Sequence, residues 1–281
     1  MSGKSEYHAE VQIRASMLKK IASAFKSIGF TLSGGVLVEF YKKGIVLRMT
    51  SGNEMLGAIA ISSRALAKYS SKGGFRTVLN HDNILTLKSW SEGKKESIPI
   101  LLKFMDETIT MKYENLNTRT KHGYFEDVFT TVEVISKRCS TATAELNCLG
   151  TLEAEPLIFI IDRLSQLKAD DGAPDYARIE GDGKELTYYR ELGLGEEAEA
   201  TMQNTDTKAK KQKAKTKSLY ETKKLQDLIT GFCHLTKEVQ VMGATNKPIV
   251  LTGAGTSLED FSKFENDIEY FVILAPKVED E

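Results

Sequence analysis

The side chains best suited to chemistry are scarce in this chain and poorly spaced for it. There are four histidines, His8, His81, His122 and His234, and three cysteines, Cys139, Cys148 and Cys233. A metal site needs such ligands in pairs at short spacing, and no HExxH, HxH or CxxC occurs. Cys233 and His234 are neighbours, which point in different directions on a helix. No metal and no cofactor is therefore expected. The phosphate-cradling patterns GxGxxG and GxxxxGK[ST] and the nucleophile elbow GxSxG are also missing. "LTGAGTSLED" carries glycines without the lysine and reads as a loop. Asp170, Asp171 and Asp260 stand in turn-like surroundings and read as surface carboxylates. A catalytic triad draws on distant parts of a chain, so the sequence leaves that arrangement open, but no pattern asks for one. One charged segment stands apart. Residues 207–217, "TKAKKQKAKTK", hold six lysines, which suits either a solvated loop or a contact with nucleic acid or an import receptor.

The elements around these residues are more regular. In "SMLKKIASAFKSI" (residues 16–28), Met17, Ile21, Phe25 and Ile28 recur at helical spacing behind Ser16, a candidate N-cap. "VLVEF" and "GIVLRM", joined by "YKKG", read as a hairpin. Residues 80–89 predict a short helix capped by Asn80 or Asp82, although Leu85 and Leu87 also alternate as in a strand. "SIPILLKF" and "TITMKYENL" form a second hairpin. "EAEPLIFIIDRLSQL" places proline in a first helical turn and Leu157, Ile161 and Leu164 on one stripe. "YARIEGDGKELTYYRE" turns at Asp182-Gly183. "SLYETKKLQDLITGFCHL" predicts a fourth helix with Leu225, Leu228, Ile229 and Phe232 on one side. "KPIVLTG" and "EYFVILA" are the final strands.

These elements repeat. Helix starts near Met17, His81, Glu155 and Glu221 are followed by strand anchors at Gly44, Ile109, Gly183 and Pro248, each about 27–28 residues on. One helix-plus-strands unit thus recurs four times, about 65–70 residues apart, which makes two domains of two units. The expected division is residues 1–117, a connector at 118–135, and residues 136–281. A chain of 281 residues, 41% hydrophobic and 27% charged, suits two domains with real cores. Its net charge of −1 requires any nucleic-acid contact to come from a local patch. The sparse, odd cysteine count points to a reducing compartment. "MSGKSEYHAE" has no apolar core of a signal peptide, and no run approaches a membrane span, so an intracellular protein without membrane contact is expected.

The whole chain resembles the DNA sliding clamps of the proliferating cell nuclear antigen family, of eukaryotic and archaeal type, as a divergent member. "SMLKKIASAFKSIG" resembles the family's first helix and "KKGIVLRM" its following hairpin. "GDGKELTYYRE" resembles the hairpin of the second domain. "SLYETKKLQDLI" resembles the last helix, "NKPIVLTG" a strand lining the partner pocket, and "FVILAPKVEDE" the terminus, the most specific match. Residues 50–100 match poorly.

The resemblance implies an α+β clamp fold, with two similar domains that each pack two helices on antiparallel sheets. Three such chains close into a ring around duplex DNA, with helices lining the hole. The ring is a non-enzymatic processivity factor for DNA replication and repair: it slides without reading sequence and tethers DNA polymerase and other proteins that carry clamp-binding peptides. A clamp loader opens it. The site would be the nucleus in a eukaryote and the cytoplasm in an archaeon. Subunits would join by edge strands, "TITMKYENL" of one meeting the strand near "EAEATMQN" of the next. Sliding needs only cations facing phosphates, and Lys19, Lys20, Lys88, Arg163, Lys223 and Lys224 are the candidates. A partner pocket is implied at Pro248, Ala275 and Pro276, with Met49 nearby and Val128, Val132 and Val134 of the connector as walls. Two features depart from the family: Phe159 and Asp162 stand where basic residues are expected, with Arg163 as a displaced substitute. Alternatives are a specialised relative, either a checkpoint-type subunit of a hetero-ring or a viral processivity factor, and an enzyme of α+β fold.

Overall fold

The computed structural model describes residues 7–27, 35–51, 55–92, 98–121, 133–134, 146–167, 170, 176–194, 196–205, 216–253 and 263–276. Val128, Val132, His122, Cys139, Asp171, Asp260, most of the lysine run and the acidic tail lie outside them. The first half runs β1 (Ala9–Arg14), α1 (Ala15–Ser27), β2 (Val36–Tyr41), β3 (Gly44–Ser51), β4 (Met55–Ser62), β5 (Lys68–Ser71), β6 (Phe75–Leu79), α2 (His81–Ser91), β7 (Pro99–Phe104), β8 (Thr108–Tyr113) and β9 (Leu116–Lys121). The second runs β10 (Asn147–Glu153), α3 (Ala154–Ser165), β11 (Tyr176–Gly181), β12 (Glu185–Gly193), β13 (Glu196–Gln203), β14 (Thr216–Glu221), α4 (Thr222–Cys233), β15 (Glu238–Gly243), β16 (Ile249–Gly253) and β17 (Ile268–Leu274).

The strands form three antiparallel sheets. A central sheet of eight has the order β10-β15-β16-β17-β4-β3-β2-β6, flanked by β5-β1-β7-β8-β9 and by β13-β12-β11-β14. The central sheet joins the two halves, because β17 pairs with β4 from Ile268↔Ile61 to Leu274↔Met55. One face carries Ile45, Leu47, Ile59, Val272 and Leu251 into the main core with the helices. The other carries Val46, Leu56, Ala58, Ala60, Val250, Phe271 and Ile273, which form a second buried cluster with Phe264. The helices lie side by side in the order α2, α1, α4, α3.

The predicted stripes bury as expected: Leu157, Ile161 and Leu164 on α3, and Leu225, Leu228, Ile229 and Phe232 on α4. Asn80 caps α2 by accepting from Asn83 N at 2.9 Å, so residues 80–89 are helical and the strand-like alternation of Leu85 and Leu87 is incidental. Gly183 turns with φ +82°, and Asp182 Oδ1 accepts from Lys184 N and Glu185 N at 2.9 and 3.1 Å.

Other boundaries differ. Ser16 is inside α1, because β1 passes directly into the helix and Ala15 N donates to Ile98 O at 3.2 Å. "SLYE" belongs to β14, where Ser218 to Glu221 pair with β11, and α4 begins at Thr222. "TITMKYENL" is two strands: Glu114 takes φ +48°, the chain reverses, and Leu116 opens β9. The strand β9 extends through Lys121, into the span expected for the connector.

Phe232 is fully buried and stacks edge-on against Tyr270 of β17 at 5.4 Å, tying the helix row to the sheet that joins the halves. Phe232→Ala should cost about 3–5 kcal/mol in a denaturant titration followed by circular dichroism.

Candidate functional site

The helix row presents one surface away from the sheets. Lys19 and Lys20 are exposed on α1, and no described acidic side chain pairs with them. On α4, Lys223 Nζ lies 2.7 Å from Asp227 and Lys224 Nζ lies 2.8 Å from Glu221. On α2, half-buried Lys88 lies 3.5 Å from Glu92. These are helix-surface pairs whose strength is modest and screened by salt, so their ammonium groups stay available to a stronger anion. Arg163 of α3 is exposed and sits over the ring of Phe159 at 5.3 Å. Phe159 itself is 61% exposed. Asp162 turns towards α4, where Gln226 Nε2 approaches it at 3.5 Å and donates to Ser165 Oγ at 3.1 Å. The structure therefore gathers all six predicted cations on the four helices, with α1 and α4 adjacent in the middle of the row.

Three of the predicted partner residues lie together at one end of the central sheet. Ile249 pairs with Leu274, so Pro248 and Ala275 extend from neighbouring strand ends, and Pro276 follows. All three are half-buried. Leu274 pairs with Met55 and Met55 with Ser51, which aligns these positions across four strands at one end of the central sheet. Because side chains alternate across a sheet, Pro248 and Ala275 share the outer face of Val250 and Ile273. Met49 does not. It is 2% exposed and joins Ile45 and Leu47 in the main core, so it supports the strand from behind, and Arg48 and Thr50 are its outer-face neighbours. Val134 is exposed.

A charge network that sequence reading missed lies on the same outer face. Glu39 is nearly buried, and its carboxylate accepts from Arg48 Nε at 2.7 Å. Arg76, its direct partner across the β2–β6 ladder, lies 3.2 Å away through Nε. Arg76 Nη1 then donates to Glu133 Oε1 at 2.9 Å. A buried carboxylate requires such partners, because desolvation alone would disfavour its charge. The network ties residue 133 to the sheet. No local sequence signal marks it, because its members are brought together only by strand pairing.

Among the described residues, no group of three or more His, Cys, Asp or Glu is placed to hold a metal ion, and no helix is long and apolar enough to cross a membrane. Burial pushes the Cys233 thiol up to about 12, which keeps it protonated and unreactive at neutral pH.

Removing the shared cation should be costlier than removing its exposed partner. Arg76→Ala leaves Glu39 with Arg48 alone and is expected to cost about 1–3 kcal/mol. Glu133→Ala, at an exposed carboxylate, is expected to cost less than about 1 kcal/mol. Urea titrations of both variants and of the double variant check the difference.

No protein-family model matches the sequence, and no curated protein matches it. Solved structures do match. The Entamoeba histolytica proliferating cell nuclear antigen (PCNA) superimposes with a TM-score of 0.70 at 14% identity, over 97% of this chain and 100% of that one. The A. fulgidus PCNA, solved with the C-terminal region of FEN-1 bound, gives 0.68 at 14% identity, over 97% and 100%. The Thermococcus kodakaraensis PCNA gives 0.67 at 14% identity, over 96% and 100%. The match runs through both halves and all three sheets, and the chain has the fold of the PCNA sliding clamps.

Proposed function

We propose that this chain is a DNA sliding clamp, a processivity factor whose copies close into a three-subunit ring around duplex DNA and tether replication and repair proteins. The observation that carries this reading is the sidedness of the molecule. All six candidate cations lie on one continuous row of helices, and three of the candidate partner residues, Pro248, Ala275 and Pro276, lie at one end of the central sheet, on the side away from the helices for Pro248 and Ala275. Cations that present charge without base-reading side chains hold phosphates and permit sliding. The chain supplies no bond-making group in this scheme. It acts by topology, and a separate loader opens and closes the ring. Its expected domains are residues 1–117 and 136–281, joined by a connector at 118–135. The protein would work inside the cell, at its DNA.

The partner surface follows the same logic. The A. fulgidus PCNA was solved with the C-terminal region of FEN-1 bound. On this chain a client peptide would seat an apolar anchor against Pro248, Ala275 and Pro276 and run along the connector, where Val128, Val132 and Val134 would wall the groove. The Glu39–Arg76–Glu133 network would hold one end of that connector against the sheet.

Two measurements test the two surfaces. Lys19→Glu with Lys20→Glu should leave assembly intact and weaken DNA retention, with the slope of log affinity against log salt reduced by about 2. Unchanged retention removes α1 from the lining. A clamp-binding peptide should bind about tenfold more weakly, or worse, to Pro276→Ser and to a chain ending at Leu274. Undiminished peptide binding by both refutes the pocket.

A further inference from the structure

Three sides of α3 are accounted for by its neighbours. Leu157, Ile161 and Leu164 face the core. Asp162 and Ser165 meet Gln226 of α4 on one flank. On the other flank Pro156 and Met202 of β13 line one cavity. Helical spacing then puts Phe159 almost opposite the buried stripe, pointing away from the sheets. Its ring is 61% exposed, more than any other aromatic side chain among the described residues. Arg163 follows one turn later. Helical side chains lean towards the N-terminus, which carries its guanidinium back over the ring at 5.3 Å.

This is a poor place to hold phosphate. Arg163 is the one cation of α3, and exposed Glu155, one turn before Phe159, repels anions. It is a good place to hold a flat apolar ring. Phenyl rings and guanidinium planes are both groups on which nucleobases stack. In a duplex the bases already lie on one another and show only their edges in the grooves, and wedging a phenyl ring between them requires unstacking. An unpaired base has free faces and carries no such cost. Phosphates come from the adjoining helix. Lys223 and Lys224 stand on α4, which packs beside α3. Packed helices lie about 8–10 Å apart, so a strand whose backbone lies on α4 brings its bases to α3.

Resting on the ring reading above, we propose that Phe159 and Arg163 form a stacking platform for unpaired nucleobases, which gives the helix row a hold on single-stranded DNA beyond what its lysines supply. The lysines attract any nucleic-acid backbone, single or double. The platform separates the two forms, because only one has a free base face to offer. Stacking is tolerant of base identity, so the selectivity is for strand state and not for sequence.

A fluorescence titration of the full chain tests this. The one native tryptophan, Trp90, is 9% exposed, so the indole introduced by Phe159→Trp reports on the platform. Short linear oligothymidylate should quench that indole strongly at low salt, and a blunt duplex should leave it nearly unchanged. Phe159→Ala should bind oligothymidylate about tenfold more weakly. Its duplex affinity should stay the same, and so should the slope of log affinity against log salt, because no charge is removed. Phe159→Leu keeps apolar area without a flat ring and should behave like Phe159→Ala. Circular dichroism checks folding, and sedimentation checks assembly. An indole that the single strand does not quench, or a loss that is equal for single strand and duplex, overturns the platform and leaves the ring standing. A drop in assembly mass with Phe159→Ala also overturns it, because the ring would then be covered by a second copy of the chain. A wild-type chain that binds neither form of DNA at low salt overturns the clamp reading itself.

Discussion

The ladder between β17 and β4 is the constraint on which the rest of the molecule depends. It pairs seven residues near the C-terminal end of the chain with a strand of the first half. That pairing turns two groups of strands into one eight-stranded sheet, and the shared sheet sets α1 beside α4 in a single helix row. It also sets Leu274 two strands from Ser51 at the end of β3, while the β16–β17 ladder sets Ala275 beside Pro248. Phe232 and Tyr270 seat α4 on β17 within the second half, and Tyr270 Oη donates to Leu235 O at 2.7 Å just beyond α4. A chain with the same local elements but without this ladder would have two separate bodies and no continuous surface on either side.

Burial on both faces of that sheet explains its unusual charge placement. The helix face needs no polar groups. The outer face carries an apolar cluster around Phe264, and next to it the carboxylate of Glu39 held by two arginines. A pair of this kind adds little net stability compared with apolar residues of equal volume, but breaking it strands a buried charge. Its value is geometric. Arg76 bridges the sheet and Glu133, so residue 133 is held at a defined position on the first half.

Much of this architecture was legible from local pattern. The stripes of α3 and α4 are each made by four apolar residues or fewer at helical spacing, and the Asp182-Gly183 turn follows from backbone chemistry. Strand β4 was not legible, because "MLGAIAIS" is buried at all eight positions and so lacks the alternation that marks a half-exposed strand. The turn at Glu114 was hidden for a different reason: a glutamate at positive φ is no ordinary turn signal, and "TITMKYENL" reads as one strand without it. The same error assigned β8 to the sheet edge that β9 occupies. Met49 shows the limit for sites. Its type and position suit a pocket, but pleat parity sends it to the core, and parity is known only once register is known. The Glu39 network is harder still, since it joins four residues from three strands and a connection.

The distribution of charge along the helix row bears on how a clamp of this shape would hold DNA. The cations at the middle of the row belong to α1 and α4, whereas α3 at one end shows Phe159 and a single arginine resting on it. Asp162, which would oppose phosphate if it faced outward, is drawn aside by Gln226. In the ring proposed above, the ends of neighbouring rows would meet at the joins, so positive charge would be concentrated at three separated zones with weaker seams between them. On that proposal, phosphates at one zone would exchange for their neighbours without every contact breaking at once. A lining that is cationic in patches holds the duplex by summed long-range attraction, and no single contact is strong enough to arrest it.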